Sequence, residues 1–467
     1  MRSSAVYGTG VGNGMNGSAE ETIYALATAS GRAGVSMFRV SGPAAFEGLR
    51  RLTGLIGIEP RMAVRATVSD GDAAIDDGLV LAFPGPASFT GEDVVEYQLH
   101  GGRAVETAML RVLAAQPGYR MAAPGEFSRR AVLNGKMDLT AAEGIADLVD
   151  AETEAQRLQA RRQSRGALGV LYQDWRQRML RVLGHIEALV DFPDEDLPKE
   201  VWDGIRGQVY DLDASISAHL DDGGRGERLR DGLRMAIIGP PNAGKSSLLN
   251  WLCKRDAAIV SDVAGTTRDI IEIHLDISGY PVLVADTAGL REGADFIESE
   301  GIRRARAWAE TADLVLDLVD ARSIREGEEA GPVAENAARI LIATKADLLS
   351  ETGRDQPAND RVAISVATGE GMDRLLAMIA DKAAGLMDLG EAPALTRARH
   401  REGLTESLEH LRRALAQCAF EAEDFDVEYG LVAEDLRLAA RALGRVTGAV
   451  DIEEILDLVF SEFCIGK

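Results

Sequence analysis

Basic residues are scarce in this 467-residue chain: 51 Lys and Arg stand against 75 Asp and Glu, giving a formal net charge of −24 and a pI near 4.8. So acidic a chain does not bind nucleic acid indiscriminately, because phosphate affinity is built from clustered cations. A nucleic-acid partner needs either a second protein or a local basic patch. Arg157, Arg161, Arg162, Arg165, Arg176, Arg178 and Arg181 are the candidate patch, with a solvated helix face as the simpler interpretation. Cysteine is scarce too. Cys253, Cys418 and Cys464 are far apart and odd in number, which excludes a disulfide framework and suggests a reducing cytoplasm. No apolar run approaches the roughly 18 residues that span a bilayer, so no membrane partner is expected. Met1 to Gly17 has no apolar h-region and is rich in Gly, Ser and Asn, the composition of a disordered tail rather than a secretory signal.

What is present begins with Gly239-Pro240-Pro241-Asn242-Ala243-Gly244-Lys245-Ser246, a G-x-x-x-x-G-K-S phosphate-binding loop. Met235 to Ile238 reads as the buried strand before it, and Leu248, Leu249 and Leu252 share one face of the helix after it. Glycines let backbone N–H groups close around phosphate oxygens, and the helix N-terminus adds positive potential. Lys245 then reaches the β- and γ-phosphates, and Ser246 ligates Mg²⁺. Thr344-Lys345-Ala346-Asp347 follows the apolar strand Ile340 to Ala343 and resembles the guanine-reading N/T-K-x-D motif. A carboxylate at Asp347 accepts hydrogen bonds from guanine N1–H and the 2-amino group; adenine offers neither, so GTP is selected over ATP. Asp286-Thr287-Ala288-Gly289 resembles D-x-x-G, with Asp286 reaching Mg²⁺ through water and the Gly289 N–H meeting the γ-phosphate. Gly265 to Asp269 resembles a switch segment in which Thr267 closes on Mg²⁺, and Ser365-Val366-Ala367 takes the place of the usual S-A-K guanine loop.

The length suggests about three domains. Thr22 to Ala27, Val35 to Val40 and Asp93 to Leu99 read as strands, with helices near Ala44 to Leu52 and Ala104 to Ala115. From about residue 137 the period is helical. Leu171, Trp175, Met179, Leu183, Ile186 and Val190 form one stripe, ended by Asp191-Phe192-Pro193-Asp194. A further helix covers Trp202 to Asp221, and Gly223-Gly224-Arg225-Gly226 reads as a flexible hinge. Strands at Pro281 to Ala285, Leu314 to Val319, Ile340 to Ala343 and Val362 to Ser365 alternate with helices, the rhythm of a doubly wound sheet. Beyond about residue 395 the chain reads as helical. Ile452, Ile455, Leu456, Val459, Phe460 and Phe463 make a stripe behind a capping box of Asp451 and Glu454. The expected fold class is therefore α/β and α+β multidomain. A tail (1–17) precedes an α+β domain (18–136), and a Ras-like doubly wound G domain (230–389) is inserted into an α-helical domain (137–229 and 390–467).

These stretches resemble a known family. With G-T-T-R-D, D-T-A-G-L-R, Phe89-Thr90-Gly91-Glu92-Asp93, Leu133-Asn134-Gly135-Lys136 and the terminal Phe463-Cys464-Ile465-Gly466-Lys467, residues from about 22 to 467 resemble the tRNA-modification GTPases MnmE, also called TrmE. The resemblance implies a cytoplasmic homodimer that hydrolyses GTP. It implies a heterotetramer with MnmG (GidA), a flavoprotein carrying FAD and using NADH, that adds an aminomethyl or carboxymethylaminomethyl group to carbon 5 of the wobble uridine of certain tRNAs. It implies GTP contacts at Asn242, Ala243, Gly244, Lys245, Ser246 and Ser247, and at Ser261, Asp262, Val263, Ala264, Gly265, Thr266 and Thr267. Further GTP contacts fall at Asp286, Thr287, Ala288 and Gly289, at Thr344, Lys345, Ala346 and Asp347, and at Ser365, Val366 and Ala367. Mg²⁺ is implied at Ser246 and Thr267, and K⁺, in place of an arginine finger, at Asn242, Ser261, Val263 and Thr266. The N-terminal domain is implied to be folate-binding-like, meeting a 5-formyl- or methylene-tetrahydrofolate derivative through Arg39, Glu96 and Lys136, with Lys467 from the chain end. Without the family, Arg39 and Glu96 read as solvent-facing strand residues. Cys464 is implied at the modification chemistry. Two rival readings stand beside this one. A ribosome-assembly GTPase switch usually carries a basic RNA-binding module, and a folate-dependent one-carbon transferase would use its G domain only for regulation.

Ras-like GTPases place a water-orienting Gln directly after D-x-x-G, and here that position is Leu290, which cannot orient water. The resemblance gives the task to Glu298. Glu298→Ala is expected to lower GTP turnover by about 10²–10⁴ while leaving GTP affinity near that of the unaltered chain. Single-turnover kinetics beside a nucleotide titration check this; a matching loss of affinity would move Glu298 from chemistry to binding or folding.

Overall fold

Period-2 alternation builds two sheets, one near the start of the chain and one in its middle, and period-3.6 stripes build the helices around them. The computed structural model describes residues 21–191, 199–255, 258–259, 272–285, 310–323, 337–349, 361–388, 390, 393–418 and 429–450, with Leu456, Val459, Phe460, Phe463 and Gly466. Outside them lie the tail Met1 to Gly17, the helix stop Phe192 to Asp194, the capping box Asp451 and Glu454, and the stripe residues Ile452 and Ile455. The chain divides into two units, residues 1–142 with 448–467, and residues 143–447.

In the first unit the elements are β1 (Thr22–Leu26), β2 (Ala33–Ser41), α1 (Ala45–Thr53), β3 (Val64–Asp70), β4 (Ala73–Phe83), β5 (Val94–Gly101), α2 (Arg103–Ala114), β6 (Tyr119–Met121) and α3 (Glu126–Leu133). The sheet order is β3-β4-β5-β2-β1-β6, antiparallel except for the parallel β1–β6 pair. Alternation assigns the two faces. Phe38, Val40, Tyr97 and Leu99 pack with Met109, Val112 and Leu113 of α2. Ile23 and Ala25 of β1 pack with Phe127 of α3 in a separate small core. Sequence reading passed over β3 and β4. Their signal is Asp70-Gly71-Asp72, where Gly71 takes φ 60° between the two paired strands.

Helix α4 (Leu139–Asp150) follows, and the second unit continues with α5 (Glu154–Ser164), α6 (Ala167–Asp191), α7 (Lys199–Leu220) and α8 (Arg225–Asp231). Then come β7 (Leu233–Ile238), α9 (Lys245–Lys254), β8 (Ala258–Ile259), β9 (Glu272–Ile277), β10 (Tyr280–Ala285), β11 (Leu314–Asp320), β12 (Ala338–Thr344), β13 (Val362–Ala363), α10 (Met372–Met387), α11 (Ala398–Cys418) and α12 (Tyr429–Thr447). The described strands form one sheet, β13-β12-β11-β7-β10-β9-β8, parallel from β13 to β10 with an antiparallel edge. Its core joins Met235, Leu248, Leu316, Ile342 and Leu375. A second core is purely helical, with Tyr172, Met179 and Ile186 of α6, Leu212 of α7, Leu404 of α11 and Leu436 of α12. The predicted α6 stripe is buried at Trp175, Met179, Leu183 and Ile186, while Val190 is exposed.

One detail differs from the sequence reading, and one bears on the candidate basic patch. The stretch read as a flexible hinge is the start of α8, and a Cβ on Gly226 would sit 2.0 Å from the Leu395 carbonyl oxygen. Its glycine therefore serves close packing. The candidate basic patch is partly ion-paired along its own helices, Arg157 with Glu154 and Arg178 with Asp174, as a solvated face would be.

Burial sets the pH response of the helical core. The Tyr172 hydroxyl lies 3.1 Å from His219 Nε2, and burial pushes the His219 imidazole down to about 4. The unfolded chain takes up this proton near pH 6.5 and the folded chain does not, so stability falls as pH drops from about 6.5 towards 4. The loss is on the order of 2 kcal/mol by pH 5. Urea midpoints are expected to fall between pH 7 and pH 5, with a smaller slope in His219→Gln. An unchanged midpoint, or an unchanged slope in the variant, would contradict this.

Candidate nucleotide and N-terminal sites

The phosphate loop leaves the carboxyl end of β7, which lies between β11 and β10 in the sheet. Open α/β sheets place ligands at that edge. Gly239 takes φ 144°, and a Cβ there would come 2.2 Å from the Leu318 carbonyl oxygen, so only glycine lets the loop turn over β11. Gly244, at φ 94°, starts α9, which aims its N-terminal N–H groups at the loop. The Lys245 ammonium donates to the carbonyls of Gly239 and Pro240, both at 2.9 Å, and burial lowers its pKa.

The segment expected to read the base is fastened to this loop. Thr344 ends β12, and its hydroxyl donates to the Ala243 carbonyl at 2.8 Å. Lys345 takes φ 59°, and its ammonium donates to the Asn242 carbonyl at 2.7 Å and to Asp320 Oδ2 at 2.9 Å. Asn242 is itself left-handed, at φ 62°. The Ala346 N–H donates to the Ile364 carbonyl at 3.0 Å, which brings Ser365, Val366 and Ala367 beside Asp347. Ser365 is buried, and its hydroxyl accepts from the Thr368 N–H at 3.2 Å, shaping the turn. Residues 242–247, 344–347 and 365–367 are therefore one constellation. The other expected nucleotide and cation residues, from Ser261 to Thr267 and from Asp286 to Gly289, lie outside the described residues, as do Leu290 and Glu298.

A loop bound to a guanine-type segment through its own backbone is the arrangement of a GTP site. The comparisons agree. The family model for the MnmE helical domain matches residues 139–464, and that for the GTP-binding protein TrmE N-terminus matches residues 22–136. The chain belongs to the MnmE family. The tRNA modification GTPase MnmE of Parvibaculum lavamentivorans is 54% identical over 449 residues, covering 96% of this chain and 100% of its own. That of Rhodospirillum rubrum is 50% identical over 462 residues, covering 96% and 99%. Like its MnmE relatives, the protein is a GTPase.

In the MnmE N-terminal unit, Arg39 and Glu96 are direct cross-strand partners on β2 and β5. They form an ion pair at 2.8 Å with side chains only 18% and 15% exposed, not the solvent-facing residues that alternation suggests. The Arg39 guanidinium lies 5.5 Å from the Phe89 ring centroid and 5.8 Å from that of Phe127. Both Arg39 hydrogen bonds go to Glu96 Oε1. Lys136 donates to the Pro86 carbonyl at 2.8 Å, and no described contact joins it to Arg39 or Glu96. Sequence reading missed the neighbouring Glu92. Its carboxylate takes a bond from Ser41 at 2.7 Å and pairs with the buried Arg130 at 3.0 Å. Its signal in the sequence is the acid inside Phe89-Thr90-Gly91-Glu92-Asp93. Cys464 and Lys467 lie outside the described residues. Phe463, next to Cys464, packs on Gly125, and Gly466 lies against Leu26 and Ala27 of the same unit.

Asp347→Asn is expected to turn base preference from guanosine to xanthosine triphosphate, because an amide donates where the 2-oxo group accepts. Competition binding with the two triphosphates checks it; retained GTP preference would show that Asp347 does not read the base.

Proposed function

We propose that the protein hydrolyses GTP to drive modification of the tRNA wobble uridine at carbon 5, acting as a cytoplasmic homodimer with an FAD- and NADH-dependent flavoprotein of the MnmG type. The observation that carries the nucleotide half is the attachment of Lys345 and Thr344 to the carbonyls of Asn242 and Ala243, which makes phosphate binding and base reading one rigid site. The resemblance and the tRNA modification GTPases to which the chain is similar carry the other half.

In this reading a G domain (230–389) is inserted into a helical domain (137–229 and 390–467), behind a folate-binding-like domain (18–136). The α9 N-terminus and Lys245 hold the triphosphate, and Asp347 holds the base. Ser246 and Thr267 are the protein ligands of Mg²⁺. A hydroxyl donor set suits that ion, which takes its remaining ligands from phosphate and water. Asn242, Ser261, Val263 and Thr266 hold K⁺. The two cations, when bound, neutralise charge developing on the phosphates. Glu298 orients the attacking water.

Arg39, Glu96, Lys136 and Lys467 are the folate ligands. The half-buried Arg39–Glu96 pair between two aromatic rings fits a flat heterocycle: Oε1 is engaged by Arg39, and Oε2 faces no described protein donor. A folate derivative supplies a one-carbon unit when bound. Cys464 is the thiol within reach of that unit, in a segment whose neighbours Phe463 and Gly466 pack on the same unit as Arg39.

Mass spectrometry of tRNA nucleosides tests the proposal in cells lacking the chromosomal copy. The unaltered chain is expected to restore modified wobble uridine, whereas Cys464→Ser is expected to leave GTP turnover intact and restore none. Modification persisting in that variant would remove Cys464 from the chemistry, and no restoration by the unaltered chain would reject the function. GTP turnover much faster in K⁺ than in Na⁺ is the expected cation response; equal rates would remove K⁺ from the site.

A further inference from the structure

Asp320 ends β11, beside the phosphate loop, and belongs to none of the nucleotide motifs. Its carboxylate has two classes of partner. Oδ2 receives the Lys345 ammonium at 2.9 Å. Arg322 grips the same carboxylate through Nη2 at 2.7 Å, through Nε at 3.0 Å and through its backbone N–H at 3.0 Å. Arg322, then Lys345, hold the carboxyl well below the usual range against the opposing effect of burial, so it is charged throughout the physiological range.

The geometry gives this charge a specific consequence. Lys345 stands in left-handed backbone at φ 59°, at the start of the turn that carries Asp347. Its long side chain crosses to the Asn242 carbonyl at 2.7 Å. A lysine side chain has many rotamers, and fixing one costs entropy unless both ends are held. Asp320 is the fixed counter-charge that selects the rotamer reaching Asn242. Asn242 also sits in left-handed backbone, a conformation that costs energy for a non-glycine residue and that the Lys345 bond helps hold.

We infer that Asp320 is a positioning residue for nucleotide binding, clamping Lys345 between the base-reading turn and the Asn242 carbonyl so that both halves of the site are set before nucleotide arrives. Arg322 plays a separate part, closing the short turn Ala321–Ser323 on the carboxylate. The inference rests on the nucleotide reading above and deepens it, since none of the nucleotide motifs includes Asp320.

The test follows dissociation of a fluorescent guanosine diphosphate from the full-length chain by stopped flow. Binding by the unaltered chain tests the nucleotide reading separately; its absence would overturn that reading and this inference with it. Asp320→Asn is expected to speed dissociation and weaken affinity roughly tenfold, the size of one charge-assisted hydrogen bond. Lys345→Met is expected to weaken binding at least as much, and the double variant no further than Lys345→Met alone, because both changes break one link. Arg322→Ala is expected to stay within about twofold of the unaltered chain, and Asp320→Glu to recover part of the loss.

A positioning role also predicts that Asp320→Asn keeps the preference for guanosine over xanthosine nucleotides. Its melting temperature without nucleotide should stay near that of the unaltered chain, while the increase on adding nucleotide shrinks. Strictly additive effects in the double variant would overturn the inference, because Asp320 and Lys345 would then act independently. An Arg322→Ala defect equal to that of Asp320→Asn would overturn it too, since the turn alone would account for the loss. If Asp320→Asn does not fold, Asp320→Ser, which also removes the charge, carries the test, and full-strength binding by it would reject the clamp.

Discussion

The Glu143 carboxylate is fully buried, and three basic side chains from one short segment meet it: Arg399 Nε at 2.6 Å, His400 Nε2 at 2.8 Å and Arg397 Nε at 3.5 Å. Burial alone would raise its pKa, but His400 and Arg399 outweigh it and hold the carboxyl below the usual range. One turn on, Asp147 takes Arg397 at 2.7 Å and Arg230 at 3.1 Å, and there burial prevails and the pKa rises. Breaking such a cluster by removing one partner leaves an uncompensated buried charge, a loss of about 3–5 kcal/mol. The same segment reaches further. Arg401 pairs with Asp222 and Glu227, Arg399 also donates to the Val446 carbonyl, and Leu395 receives Gly226. Basic residues at the start of α11 oppose its dipole, and the acids of α4 and α8 offset that charge. The helical core and the approach to the phosphate loop both depend on this cluster.

The nucleotide site uses the opposite economy. Its rigidity comes from backbone contacts and single charges at the strand ends rather than from a buried ionic core. Gly239 passes within contact of the Leu318 carbonyl, and Thr344 bridges the carbonyls of Ala243 and Val319. The loop after β7 is thereby tied to the ends of the neighbouring parallel strands β11 and β12. Those bonds leave the α9 N–H groups directed at a common point, which suits an anion with several equivalent oxygens.

The N-terminal unit combines both strategies around one strand pair. Arg39 and Glu96 neutralise each other on the sheet face that α3 covers, and the rings of Phe89 and Phe127 limit the water around them. Nearby, Glu92, Arg130, Glu126 and Arg120 continue as a chain of ion pairs. Pairing each buried charge with an opposite one is what keeps such a partly dry surface from losing stability to desolvation.

Local chemistry by itself determined a great deal. A strand, G-x-x-x-x-G-K-S and a helix are spelled out in consecutive residues, and T-K-A-D after an apolar strand names guanine, because each motif's function lies within its own few atoms. The long α6 stripe, the alternation of β2 and β5 and the parallel rhythm after residue 280 were legible for the same reason: periodicity is a property of neighbours in sequence. Only the tertiary structure decided that Gly226 is a packing contact rather than a hinge, because the Leu395 carbonyl that crowds it lies far along the chain. It alone paired Arg39 with Glu96, since register between strands separated by α1, β3 and β4 is not written in either strand. It alone gave Asp320 a partner in Lys345 and Glu143 its cations, because the strength of a charge depends on what burial brings to face it, and burial is settled only when distant segments meet.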